Sequence, residues 1–286
     1  MTLDEIIDNA LKEDLGEGDI TSLAIFRKKT KGRANLLVKE DGVLAGVPVA
    51  QKVFQKVDPA LQLTVFKNDG EKIFKGDTVF EVSGNVVSIL SAERLVLNFM
   101  QRLSGIATNT ARIVKELEGL NTKVLDTRKT TPNLRELEKY AVRMGGGFNH
   151  RFGLFDMVLI KDNHIDKLGG IVRSIRTVRM YLKEAGKKDM KIEIEVRNFE
   201  EIVEVMNEGG VDRIMLDNFT PEDLSDAVEI IGDMFETEAS GGITLENIRK
   251  YAESGVDYIS VGALTHHFKS LDMSLKVVRR TVWDDD

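Results

Sequence analysis

Residues 191–217 read KIEIEVRNFEEIVEVMNEGGVDRIMLD. KIEIEV (191–196) and RIMLD (213–217) are apolar, strand-like runs, and the stretch between them is amphipathic with helical character. The same rhythm extends outward in both directions. KVLDT (123–127), MVLIK (157–161), FETEA (235–239) and DYISV (257–261) are further strand-like runs, each followed by a candidate helix. Strands alternating with helices from residue 123 onward predict βα units around a parallel sheet, an (α/β) barrel. Six runs leave its closure open.

Upstream the pattern differs. Thr2 with Glu5 forms a capping box, and Leu3, Ile6, Ile7, Ala10 and Leu11 follow at helical spacing. Short runs such as ANLLVKE (34–40), LQLTVFK (61–67) and DTVFEVS (77–83), separated by turns, predict a small sheet with a helix near Pro48 to Val57. Ser88 to Leu120 reads as helical, broken at SGIAT where Gly105 weakens the run. These features predict a smaller N-terminal α/β (α+β) domain over 1–105 and a barrel over 106–270. A C-terminal helix is expected over 271–286, packing back on the first domain.

The chain has 286 residues, a formal net charge of -7 and no cysteine. Disulfides, thiolate zinc sites and a cysteine nucleophile are therefore excluded. Net acidity without a long Lys/Arg run argues against nucleic acid as a partner. No window approaches a membrane span, and the amphipathic, acidic N-terminus predicts a cytoplasmic protein.

Within that acidic chain, residues 127–164 carry seven Lys or Arg against four Asp or Glu, a local cationic pool suited to an anion. The strand ends concentrate chemistry, as they do in barrels whose active sites lie at the C-terminal ends of strands. Arg128 and Lys129, Lys161, Glu195, Asp217, then Ser240 with Gly241 and Gly242, and finally Gly262 follow successive runs. Arg128, Arg151 and Lys161, with Arg94 and Lys129 as candidates, supply charged donors, and arginine grips carboxylate or phosphate through paired hydrogen bonds. A solvated basic face is the alternative. Ser240, Gly241 and Gly242 precede a helix expected to be capped by Thr244, which would turn backbone N–H groups toward a phosphate. Glycine simply ending a strand is the competing explanation. Glu195 and Asp217 are suited to Mg²⁺, and equally to ion pairs with Lys129 or Lys161. His150 is placed to donate to a ligand, whereas His164 and His267 read as structural. No His–carboxylate spacing signals zinc. A barrel lyase using Lys161 or Lys129 as a Schiff-base nucleophile, or a non-catalytic anion binder, also fits these residues.

Taken in order, DTRKTTPNLRELEKYAVRMGGGFNHRFGLFDMVLIKDNH, EIEV, LDNF, EASGGIT and GVDYISVGALTH closely resemble the nicotinate-nucleotide pyrophosphorylases, the decarboxylating quinolinate phosphoribosyltransferases of NAD biosynthesis. EDLGEGDIT and AERLVLNFMQRLSGIAT extend the likeness over nearly the whole chain. GGGFNHRFGL and LIKDNH favour this family over a molybdenum-associated homologue of similar fold. The resemblance implies an open (α/β) barrel beside a small α/β domain, working as a dimer or a multiple of dimers. It implies that Arg128, His150, Arg151 and Lys161 surround the carboxylates of quinolinate, with Arg94 arriving from the neighbouring subunit. Lys129, Glu195 and Asp217 match positions that meet phosphoribosyl pyrophosphate and its Mg²⁺, and with Lys161 they make the expected catalytic set. Ser240, Gly241, Gly242, Gly262 and His266 match a cradle for the 5-phosphate.

Overall fold

The computed structural model of the chain describes residues 1–27 and 30–278. Two compact units emerge. Unit 1 comprises Met1–Ala111, Thr131–Gly146 and the chain from His267 onward, and unit 2 comprises Arg112–Thr130 and Gly147–His266.

Unit 1 opens with α1 (Leu3–Leu15), where Thr2 accepts the Glu5 N–H at 3.2 Å and Glu5 accepts the Thr2 N–H at 2.7 Å, the expected capping box. After α2 (Ile20–Ile25) come β1 (Lys31–Val38), β2 (Gly42–Val43), α3 (Val47–Val57), β3 (Gln62–Val65), β4 (Lys72–Ile73) and β5 (Thr78–Asn85). Alternating residues of β1, Ala34, Leu36 and Val38, are buried, the period of a half-covered strand. Phe54 of α3 meets Phe80 of β5 edge to face at 5.9 Å between ring centres. Burial of each large apolar side chain in such a core contributes roughly 1.5–3 kcal/mol.

The expected break at Gly105 does not occur. α4 (Val86–Lys115) runs unbroken for 30 residues, so the helix passes from unit 1 into unit 2. Gly105 answers a different need, since a Cβ there would sit 2.4 Å from the Lys269 carbonyl oxygen. It lets two backbones approach, at the helix-propensity penalty of a glycine. Among the described residues no helix is long and apolar enough to cross a membrane.

Unit 2 holds the parallel sheet. β6 (Lys123–Leu125) comes first, and α5 (Arg135–Met144), which follows it in sequence, folds with unit 1. Then come β7 (Val158–Ile160), α6 (Asp162–Leu168), α7 (Ile171–Glu184), β8 (Ile192–Val196), α8 (Phe199–Glu208), β9 (Arg213–Asp217), α9 (Pro221–Ile231), β10 (Glu236–Ser240), α10 (Ile248–Ala252), β11 (Tyr258–Ser260) and α11 (Ala263–His266). All six expected runs are strands. Their order is β6-β11-β10-β9-β8-β7, parallel throughout, so the first strand pairs with the last and the barrel is open between β6 and β7. Phe148 bridges Leu125 and extends the free edge of β6.

The chain returns to unit 1 as β12 (Met273–Val277), antiparallel to β1 and at the edge of the sheet β12-β1-β5-β3. The helix expected over 271–286 is thus a strand where the chain is described. Met273 and Leu275 alternate inward, and the five-residue run matches the free edge of β1, which decides in favour of sheet pairing. Residues 279–286 lie outside the described residues.

Candidate active site

The strands of unit 2 reverse the usual polarity of a barrel. In β8 every residue is buried, with Ile192, Ile194 and Val196 on one face and Glu193 and Glu195 on the other. Alternation therefore sends two carboxylates to the same side. Arg213 and Met215 of β9, and Glu236 and Glu238 of β10, continue that face. Glu238 accepts from Arg213 at 2.9 Å, and Glu236 accepts from Arg213 at 3.0 Å. The Arg213 guanidinium also stacks 3.9 Å from the centre of the Tyr258 ring.

Above this charged interior, at the C-terminal ends of the strands, lies a cavity of about 360 Å³. It brings together Arg128, Lys129, His150, Arg151, Lys161 and Ser240. Burial, and then the charge of Arg128, depress the pKa of Arg151, the signature of cations crowded together for an anion. Lys161 Nζ donates to Glu195 Oε2 at 3.1 Å. Burial lifts the pKa of Glu195, with Lys161 opposing the shift and Asp217 adding to it. Glu195 and Asp217 thus stand at neighbouring strand ends within each other's field.

His150 lines the cavity but turns inward. Its Nδ1 accepts the Arg151 N–H at 2.7 Å, and Nε2 lies 2.9 Å from Glu193 and 3.5 Å from Glu238. Burial opposes a charge on His150, yet the hydrogen bonds and fields of the two glutamates push its pKa up to about 9. The Nδ1 contact belongs to the neutral ring with its proton on Nε2, and a charged ring would have to give that contact up. His150 thus adjoins both the cavity and the carboxylates beneath it. These three are also the one group of His, Asp or Glu triplets among the described residues with donor atoms within 4.8 Å of one another. Arg213 already supplies a cation there.

The glycine turn differs from expectation in one respect. The helix after it begins at Ile248 with Asn247 as its cap, and Asn247 Oδ1 accepts the Thr244 N–H at 2.7 Å. Asn247 and not Thr244 holds the N-cap position, and its side chain makes no cap hydrogen bond. A five-residue helix adds little dipole, so any phosphate here would rely on the loop itself. Gly241 (φ 97°) and Gly242 (φ 61°) are successive left-handed residues, and a Cβ on Gly241 would strike Asn218 Oδ1 at 2.1 Å. Such paired conformations turn backbone N–H groups into an anion-binding nest. One strand further on, a Cβ on Gly262 would meet His266 Nε2 at 2.8 Å and Lys129 Cδ at 2.9 Å, so these three residues adjoin.

Arg94 belongs to unit 1, exposed on α4 between buried Ala92 and Leu95. It has no ion pair among the described residues. His164 caps α6, its Nδ1 accepting the Lys161 N–H at 2.9 Å. Arg197 pairs with Glu201 and Asp166.

Two family models match the chain in succession: "Quinolinate phosphoribosyl transferase, N-terminal domain" over residues 19–104 and "Quinolinate phosphoribosyl transferase, C-terminal domain" over 106–276. The chain belongs to the quinolinate phosphoribosyltransferase family. Among family relatives, a chloroplastic nicotinate-nucleotide pyrophosphorylase [carboxylating] of Arabidopsis thaliana is 47% identical over 96% of this chain and 82% of its own length. A probable nicotinate-nucleotide pyrophosphorylase [carboxylating] of Bacillus subtilis is 42% identical, covering 97% and 94%. The solved nicotinate-nucleotide pyrophosphorylase of Francisella tularensis superposes with a TM-score of 0.91 at 40% identity, covering 97% of this chain and 98% of that one.

Sequence reasoning did not find Glu193, Glu238, Arg213 or Asp126. A signal was present in KIEIEV and ETEAS, where paired glutamates two apart interrupt strands that end up wholly or largely buried.

Proposed function

We propose that the chain converts quinolinate and phosphoribosyl pyrophosphate to nicotinate mononucleotide, pyrophosphate and CO₂, as a decarboxylating quinolinate phosphoribosyltransferase of NAD biosynthesis. The observation that carries this reading is the strand-end cavity of unit 2, where Arg128, Lys129, Arg151 and Lys161 converge on a space the size of a small ligand. A dicarboxylate answers that charge pattern, because arginine and lysine donors lose strongly when a partner is missing.

In this reading Arg128, His150, Arg151 and Lys161 surround the carboxylates, while Gly241, Gly242 and Ser240 receive the 5-phosphate, with Gly262 and His266 adjoining. Lys129 faces the ribosyl donor. The pyridine nitrogen attacks C1 of the ribose and the C1–O bond to pyrophosphate breaks. The C2–carboxylate bond then breaks to release CO₂, and the cationic ring nitrogen stabilises the electron pair left at C2 until a proton is taken up. The protein contributes position and electrostatics. Glu195 and Asp217 fit a hard divalent cation, since burial and then the charge of Asp217 work against a lone negative charge on Glu195. They would hold Mg²⁺, which when bound neutralises charge on the departing pyrophosphate.

The partners are small molecules, with no nucleic acid or membrane, in a cytoplasmic enzyme. The plant relatives are named mitochondrial or chloroplastic. We further propose a homodimer, or a multiple of dimers, in which the exposed Arg94 completes the partner subunit's site.

Selectivity tests the reading. With phosphoribosyl pyrophosphate and Mg²⁺, kcat/KM for quinolinate should exceed that for nicotinate by about 10⁴, the scale on which a site built for a polar group rejects its absence. Comparable turnover of nicotinate would remove the dicarboxylate site.

A further inference from the structure

At the strand ends of unit 2 the pairing of β6 with β11 runs out before the chain reaches the cavity. Its last rung is the Val261 N–H on the Leu125 carbonyl at 2.9 Å. Asp126, fully buried, then turns aside: its N–H meets the Phe148 carbonyl, and its Oδ1 accepts the His150 N–H at 2.9 Å. The turn that follows, Thr127 to Lys129, has left the ladder and carries two cations of the cavity. Threonine hydroxyls hold it instead. Thr127 Oγ1 accepts the Lys129 N–H at 3.0 Å, and Thr265 Oγ1 of α11 donates to the Lys129 carbonyl at 2.8 Å, across 136 residues of sequence.

Burial of Thr265, which is 2% exposed, does not by itself explain that second bond. A threonine in a helix commonly satisfies its hydroxyl on a carbonyl of the preceding turn, and the Gly262 carbonyl stands 3.4 Å from Thr265 Oγ1. A hydroxyl has one proton, and the shorter contact takes it, so the local bond is given up for the Lys129 carbonyl. The Lys129 stem is placed by the same segment. A Cβ on Gly262 would lie 2.9 Å from Lys129 Cδ and 2.8 Å from His266 Nε2. Gly262 adopts no left-handed φ, so glycine here answers to space and not to the backbone.

We propose that Thr265 is a positioning residue for the ribosyl donor: its hydroxyl pins the Lys129 main chain to the turn that carries Gly262 and His266, so that the Lys129 amine and the 5-phosphate cradle meet one ligand at a fixed separation. The proposal rests on the cavity being the phosphoribosyl pyrophosphate site. Thr265 acts through Lys129 and touches no substrate. Arg128 has its own tie, its carbonyl accepting the Thr130 N–H at 2.9 Å. Loss of the Thr265 hydroxyl is therefore felt by the donor and not by the dicarboxylate.

The test uses the full chain with quinolinate, phosphoribosyl pyrophosphate and Mg²⁺. It compares Thr265→Val, which keeps the shape and removes the hydroxyl, with Thr265→Ser, which keeps the hydroxyl. Lys129→Ala and the double variant Thr265→Val with Lys129→Ala complete a cycle, and rates at limiting donor with protein in excess register slow variants as well. A wild type that forms no nucleotide removes the underlying reading and this proposal with it. Given an active wild type, the remaining outcomes concern Thr265 and Lys129. Thr265→Val should lower kcat/KM for phosphoribosyl pyrophosphate about tenfold with KM for quinolinate within about twofold, and Thr265→Ser should stay within about threefold of wild type. In the Lys129→Ala background the valine change should alter the rate by less than about twofold, since its route of action is already gone. A multiplicative double variant, an unchanged Thr265→Val, a Thr265→Ser as impaired as Thr265→Val, a quinolinate KM that rises with the loss on the donor, or a fully active Lys129→Ala would each overturn the proposal. If Thr265→Val fails to fold, a crystal structure of the wild type with phosphoribosyl pyrophosphate and Mg²⁺ decides. The Lys129 amine should lie on the donor with the Thr265 hydroxyl still on the Lys129 carbonyl, and the absence of either contact would overturn the assignment.

Discussion

Lys161 follows an apolar strand, its side chain is 45% exposed, and its amine reaches Glu195 at 3.1 Å. Arg128 is likewise exposed, at the end of the β6 segment. Neither side chain supports the core, so Arg128→Ala and Lys161→Ala should each lower kcat/KM by about 100-fold or more while thermal unfolding stays within a few degrees of wild type. Steady-state kinetics beside a melting curve checks both halves. Two active variants would remove the cavity as the site. At this scale the cations were legible because a charge directly after an apolar run has to sit at a strand end. The partners of His150 were not. Glu193 and Glu238 lie dozens of residues away in sequence, and only the folding of the sheet brings β8 and β10 to one imidazole. Whether Glu195 faced a metal or a lysine was equally open from sequence, and the side-chain geometry pairs it with Lys161.

Elements were read best where the pattern was longest. Six strand-like runs became six parallel strands because β-branched and apolar residues at alternate positions, flanked by amphipathic helices, have few other ways to be covered. The misreadings share a physical cause, which is tertiary context overriding a local preference. The helix after the glycine turn starts at Ile248, three residues beyond the start expected from Thr244, and a free sheet edge turned Met273–Val277 into a strand. Gly105 was read as a helix breaker, whereas it is a contact point for the Lys269 backbone. Gly105→Ala tests that role. Helix propensity alone would stabilise the variant by about 1 kcal/mol. The clash at a rigid carbonyl instead predicts destabilisation of about 1–3 kcal/mol in urea unfolding. A more stable variant would show that the close approach carries no energetic weight.

On the scale of the whole molecule, the change of rhythm after residue 105 and the return of the C-terminal segment to the first domain were visible, but the contribution of 131–146 to unit 1 and the pairing of β12 as a strand were not, since each depends on non-local contacts. The proposed dimer has its own test. Arg94→Ala and Lys161→Ala proteins, each inactive, are mixed under conditions of subunit exchange. If Arg94 serves the partner's site, one site per mixed dimer has both intact residues, because a two-fold assembly repeats its shared surface. Activity should then rise toward one quarter of wild type at an equal mixture, with half the dimers mixed and one site of two restored in each, an idealised count. Demonstrated exchange without recovery would return Arg94 to its own subunit or place it outside the site.

The central claim is that one cavity both ribosylates a pyridine dicarboxylate and removes its 2-carboxylate. Product analysis meets it most directly, with purified protein, quinolinate labelled in the 2-carboxylate, phosphoribosyl pyrophosphate and Mg²⁺. Nicotinate mononucleotide and labelled CO₂ should form in equal amounts throughout the time course, with neither formed when phosphoribosyl pyrophosphate is omitted. CO₂ released without nucleotide, nucleotide that retains the label, or no product at all would contradict it.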